Sequence, residues 1–214
     1  MKLSRLLRSE DARQTLDLTL RLTQRSVSSE FKGTALGRLW SFINPLATIA
    51  IFALIFGVVF RGGVEPGRNS GINSFALWIG IGVLSWTFFS SGIMASMNAL
   101  VNNSGLLTKV YFPRQVLIYS AVLSLAVDFA FELLVLVIIA MILGGPGVLA
   151  MIPALLVVTV LVGMFAVGLG HMLSIATVYF RDLGHLREIF NQLWMYASGA
   201  VFPLTMVTQA QHDL

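Results

Sequence analysis

The sequence predicts an all-α polytopic membrane protein, and three observations carry that prediction. Of 214 residues, 57% are hydrophobic and only 11% charged. Charge-free apolar runs long enough to cross a bilayer recur along the chain, and the lysines and arginines gather in segments that alternating spans would place on one side. With a mean hydropathy of +0.84, too little polar surface remains to cover a globule in water. The formal charge of +4 does not indicate nucleic acid, because the basic residues sit beside hydrophobic runs and not among aromatics on a polar domain. They suit anionic lipid headgroups instead. No cysteine is present, so disulfides, thiolate metal sites and thiol nucleophiles are excluded.

Residues 1–38 read as a cytoplasmic amphipathic arm. A secretory signal is ruled out because Glu10, Asp11, Arg13, Asp17 and Arg21 interrupt any apolar core that would follow the basic start. Leu16, Leu18, Leu20 and Leu22 fit a helix at four-residue spacing and equally the alternation of a strand. The flanking basic residues, and the span that follows at once, favour a helix lying flat in the membrane interface. A partly disordered arm is the alternative.

The transmembrane domain, 39–214, is expected to hold five spans. The first covers about 39–60, between Arg38 and Arg61, close to the ~20 residues needed for a ~30 Å hydrocarbon layer. Trp40 lies at its interfacial end, and Pro45 falls early, where a missing donor does least damage. The glycine- and proline-rich stretch 61–71 breaks regular structure. The second span is expected at 75–97, with a polar exit through Asn98, Asn102 and Asn103, and the third at 115–143, closed by Gly-Gly-Pro-Gly at 144–147. The fourth is expected at 151–179, followed by a charged turn over 181–188 and a fifth apolar segment at 189–207.

Twelve of the fourteen lysines and arginines fall in the arm, the second-to-third loop and the fourth-to-fifth loop. The positive-inside rule therefore predicts a cytoplasmic N-terminus.

Asp128 and Glu132 lie inside the third span, where a carboxylate costs about 2.5–3.5 kcal/mol unless paired, protonated or wet. Ser120 and Ser124 continue the same four-residue row. Such a stripe must face protein or a water-filled path. It reads either as part of a translocation path or proton relay, or as hydrogen bonding that fixes helix packing. His171 could approach the stripe if the third and fourth spans are neighbours. Trp78, Trp86, Phe88, Phe89, Trp194 and Tyr196 could line a path for sugars or simply pack between helices. Gly163, Gly168 and Gly170, with Ala166 and Ser174, offer a close-packing face. The sequence contains no G-x-x-x-x-G-K-[ST] loop and no H-E-x-x-H, so any energy source is expected on another chain.

Four stretches carry a resemblance: F-K-G-T-A-L-G-R-L-W-S-F-I-N-P at 31–45, N-N-S-G-L-L-T-K-V-Y-F-P-R at 102–114, V-Y-F-R-D-L at 178–183 and G-A-V-F-P-L at 199–204. In order and spacing they resemble the membrane subunit of bacterial ABC transporters that export lipid-linked polysaccharides such as O-antigen, teichoic acid, capsule or galactan. The resemblance implies a permease without catalytic residues or a metal, working as a homodimer with two ATP-binding subunits. ATP and Mg would be held by those partners. It further implies a lipid-linked glycan as cargo, with membrane lipids around it, no nucleic acid, and a place in the bacterial cytoplasmic membrane. Carried over by motif, Asn103, Leu106, Lys109, Tyr111, Phe112, Pro113 and Arg114 would form the segment that couples to the ATPase. Ser120, Ser124, Asp128, Glu132, Trp78 and Trp86 are the candidate path residues. The family pattern has a sixth span, so a chain ending after the fifth is expected to be truncated. A drug or lipid exporter of the same type, or a proton-coupled carrier or intramembrane enzyme using Asp128, Glu132 and His171, are the alternatives.

Overall fold

The computed structural model describes residues 2–30, 32–52, 54–55, 74–107, 113–180 and 182–199. Among them there is helix and no strand: α1 (Lys2–Ser29), α2 (Trp40–Phe52), α3 (Phe75–Asn102), α4 (Ser104–Leu107), α5 (Gln115–Gly144), α6 (Ile152–Tyr179) and α7 (Leu183–Ala197). Three stretches among the described residues are long and apolar enough to cross a membrane, at 76–102, 115–144 and 146–179. The chain is an all-α polytopic membrane protein. At 30 residues, α5 is about 45 Å long, more than a ~30 Å hydrocarbon layer requires, so it tilts or projects into the interface.

The helix boundaries follow local chemistry. α5 runs to Gly144, and the Gly145 N–H donates to the Met141 carbonyl at 2.9 Å with Gly145 at φ 74°. That left-handed residue is cheap only for glycine, and Pro146 then opens a 3-10 turn, Pro146–Met151, leading into α6. α3 continues through Asn98 to Asn102, past the expected end at 97, because an exit at the water interface does not require the helix itself to stop. α2 carries Pro45 fully buried within it; residues 56–60 of the expected first span lie outside the described residues.

α7 begins at Leu183, so residues 183–188 of the stretch expected as a charged turn are helical, while residue 181 lies outside the described residues. Leu186, Ile189, Phe190 and Leu193 recur at helical spacing and are exposed, while Arg187, Asn191 and Met195 on the opposite side are half-buried. The charges occupy one face of an amphipathic helix, which is why they do not end it. The last residues of the expected segment, 200–207, lie outside the described residues.

Contacts divide the chain into two compact units. One comprises Met1–Gly37, Phe89–Val127 and Leu161–Leu183, the other Arg38–Phe88, Asp128–Val160 and Gly184–Leu214. In the second, aromatic pairs fix the packing: Phe88 and Phe129 stack at 4.6 Å, and Phe42 meets Phe131 edge-on at 5.4 Å. Ile49 approaches Gly80, where an added Cβ would lie 3.1 Å from its Cγ1. Since Phe88 and Phe129 are both nearly fully buried, Phe129→Ala is expected to cost about 3 kcal/mol in a detergent unfolding titration; an unchanged midpoint would show that the stack contributes nothing.

In the first unit, α1 docks through Thr19, Thr23 and Val27, all buried. The two threonine hydroxyls donate to the carbonyls of Thr15 and Thr19, each at 2.8 Å, so they enter the contact already satisfied. The Thr23 hydroxyl also lies 3.5 Å from the Ser120 carbonyl of α5. Leu16, Leu18 and Leu20 remain exposed. The alternation that suggested a strand thus lies within one helix.

Candidate coupling segment and translocation stripe

Within 102–114 the described residues, 102–107 and 113–114, form the end of α3, the single turn α4 and the lead into α5, which begins at Gln115. The Asn103 carbonyl accepts from the N–H groups of Leu106 and Leu107 at 3.0 and 3.1 Å, closing α4, and its side-chain amide donates to Ala99 at 2.8 Å. At the far end the carbonyls of Pro113 and Arg114 accept from Val116 and Leu117 at 3.1 and 3.2 Å. Pro113 has no N–H to leave unpaired just ahead of α5. Of the expected coupling residues, Asn103, Leu106, Pro113 and Arg114 are described; Lys109, Tyr111 and Phe112 lie outside the described residues.

What sequence reasoning missed is the anchor beneath α4. Ala99, Leu117 and Ile118 form a buried cluster on which Leu22, Leu100, Leu106, Leu107 and Ala121 pack. The cluster joins α1, α3, α4 and α5, so the turn is seated on α1 as well as on the two flanking helices. Leucines in a loop are a visible signal, but their partners are not.

Within the stripe on α5, Ser120 is buried and its hydroxyl donates to the Leu117 carbonyl at 3.1 Å. Ser124 is half-buried and bonds back to Ala121 at 2.9 Å. Asp128 and Glu132 are half-buried. The serines are therefore satisfied within their own helix, and only the carboxylates carry a demand for an outside partner or water. His171 in α6 lies beside Tyr119 in α5, ring centroids 5.4 Å apart. Its Nδ1 lies 3.0 Å from the Val167 carbonyl, an oxygen that can only accept, so Nδ1 is the donor in that contact.

Several of the aromatic candidates pack against other rings. Trp86 meets Trp194 edge-on at 6.1 Å, and Phe89 stacks on Phe165 at 5.7 Å. Trp78 is half-buried on α3 and Tyr196 exposed on α7. Among the described residues no group of three or more histidine, aspartate or glutamate side chains is placed to hold a metal ion.

Long apolar helices, a polar stripe within one of them and a short helical turn anchored to three neighbours define a membrane-embedded helical protein. The profile of the ABC-2 type transporter membrane family matches residues 17–211, and the chain belongs to that family. It is 31% identical over 191 residues to the O-antigen export system permease protein RfbA of Myxococcus xanthus, covering 89% of this chain and 70% of that one. Two proteins of the same description from Klebsiella pneumoniae are 24% and 23% identical over 193 residues, covering 90% of this chain and 71% of each. The chain is a permease-type membrane subunit of an ABC transporter, a machine that requires an ATP-binding partner.

Proposed function

We propose that this chain is the permease of an exporter moving a lipid-linked polysaccharide or cell-wall glycan precursor out of the cytoplasm. The observation that carries the reading is its similarity, over about nine-tenths of its length, to relatives described as O-antigen export permeases. Two copies would form the pathway, each with an ATP-binding subunit that holds ATP and Mg and performs the hydrolysis. The chain would sit in the cytoplasmic membrane with its N-terminus inside, an orientation supported by the distribution of lysine and arginine. Asn103, Leu106, Lys109, Tyr111, Phe112, Pro113 and Arg114 would receive the motion of the ATPase. A short element tied to rigid helices passes a rigid-body push into the membrane. Ser120, Ser124, Asp128 and Glu132, with Trp78 and Trp86, would border the path.

The half-buried carboxylates favour one competitor, a proton-coupled carrier. The joint variant Asp128→Asn with Glu132→Gln separates the two readings in a vesicle export assay. An ATP-driven exporter keeps ATP-dependent export within about tenfold of wild type, because the losses are confined to packing and path polarity. A carrier dependent on those protons stops altogether. In mild detergent the chain should retain an ATP-hydrolysing partner. If none is retained, and substitutions at Lys109 and Arg114 leave export untouched, the coupling assignment fails.

A further inference from the structure

We propose that a cleft between α1, α4 and the start of α5 binds the phosphate-bearing headgroup of a lipid. The cleft, of about 430 Å³, is lined by Arg25, Ser26 and Ser29 of α1, by Asn102, Asn103 and Gly105, and by Ser120 on α5, with Leu22, Leu106, Leu117 and Ala121 completing it.

Three observations point to this ligand class. The first is depth. Asn102 ends one membrane-crossing helix and α5 opens at Gln115, so the cleft lies where two spans reach the interface. That is the level at which lipid phosphates are concentrated.

The second is charge. Among the described lining residues Arg25 is the cation, and none of them is a carboxylate. A monoanionic phosphodiester matches one guanidinium, whose planar fork suits phosphate oxygens.

The third is the hydrogen-bond inventory. Asn103 donates one amide hydrogen to the Ala99 carbonyl, which leaves its second for a ligand, and Asn102 and Ser26 are exposed beside it. The Ser29 hydroxyl donates to the Ser26 carbonyl at 2.9 Å, so it meets a ligand as an acceptor. The remaining groups therefore present several donors to a phosphate and an acceptor to a glycerol or sugar hydroxyl.

Two sources supply such a phosphate: a bilayer phospholipid, or the phosphorylated end of a polyprenyl carrier. Either would brace α1 against the segment containing Asn103 and Leu106. The binding itself rests only on the chain being membrane-embedded, so it can fail or stand independently of the transport reading.

The test uses the full chain in mixed micelles containing phosphatidylglycerol, a polyprenyl phosphate, or phosphate-free diacylglycerol, followed by thermal melting and native mass spectrometry. Wild type should be stabilised by a phosphate-bearing lipid and not by diacylglycerol. Arg25→Gln should weaken apparent lipid affinity roughly tenfold, the loss expected for one charge-assisted contact. Arg21→Gln removes the same charge from an exposed position of α1 outside the cleft and should bind as wild type. Asn102→Ala provides a second, uncharged change to the wall and should also weaken binding. Stabilisation by phosphatidylglycerol assigns the bilayer as the source, and stabilisation by the polyprenyl phosphate alone assigns the carrier. Equal effects of diacylglycerol and phosphatidylglycerol, or equal losses in the Arg21 and Arg25 variants, would overturn the proposal.

Discussion

Gly170→Leu is expected to abolish the native crossing of α3 and α6, and Gly170→Ala to weaken it measurably. A Cβ built on Gly170 overlaps the Cβ of Ser96 and comes within 2.6 Å of its Oγ. Ser96 is fully buried, and its hydroxyl donates to the Gly92 carbonyl at 2.7 Å. It is a short side chain with nowhere to swing, so the helices must separate. One turn away the same crossing is nearly as close, with Ala166 Cβ 3.2 Å from where a Cβ on Gly92 would be. Alanine gains about 1 kcal/mol of helix propensity over glycine, yet overpacking at a rigid contact costs about 1–3 kcal/mol. Gly170→Ala should therefore lower thermal stability in detergent, and Gly170→Leu should yield no folded protein. Combining Gly170→Ala with Ser96→Gly should recover much of the alanine loss, because the two changes share one contact. If Gly170→Ala melts like wild type with Ser96 in place, the close approach is not a feature of the folded chain.

Gly163, Gly168, Gly170, Ala166 and Ser174 mark a small-residue face, and of these Ala166, Gly170 and Ser174 are buried whereas Gly168 is exposed with nothing near it. Spacing alone selects the first three, since they recur every four residues and Gly168 falls off their row. The partner face at Gly92 and Ser96 could not be read, because a single sequence contains no record of which helix meets which. The same distinction separates the rest. Apolar runs at 115–143 and 151–179 coincide with α5 and α6, because backbone at that depth must satisfy its own hydrogen bonds, as a helix does. The threonine ridge of α1 was invisible: Thr19 and Thr23 look polar, yet each spends its hydroxyl on its own helix and then packs as an apolar group. The helical nature of 183–188 was concealed by its charges, which all lie on one face of α7.

Leu107→Asp is expected to uncouple the transporter while leaving it folded. Leu107 closes α4 and packs, with Leu106 and Leu22, against Ala99, Leu117 and Ile118. This single turn, Ser104–Leu107, is held in part by two N–H groups on the Asn103 carbonyl and by the leucine contacts. A carboxylate in that cluster would give up its water without a cation among the clustered residues, at a cost of several kcal/mol. Releasing the turn into solvent costs less, so α4 should detach while α3 and α5, each held by its own long ladder, remain in place. If the 102–114 segment conveys the ATPase stroke, ATP-dependent export should fall by at least roughly tenfold, equivalent to about 1.4 kcal/mol of lost coupling. Hydrolysis by the retained partner should continue, and the melting temperature should change little. Leu107→Met, which keeps an apolar side chain of similar volume, should preserve export. Full export by Leu107→Asp would show that the turn need not be seated on α1, α3 and α5 for force to pass. A joint loss of export, hydrolysis and stability would assign Leu107 to folding and remove it from the coupling path.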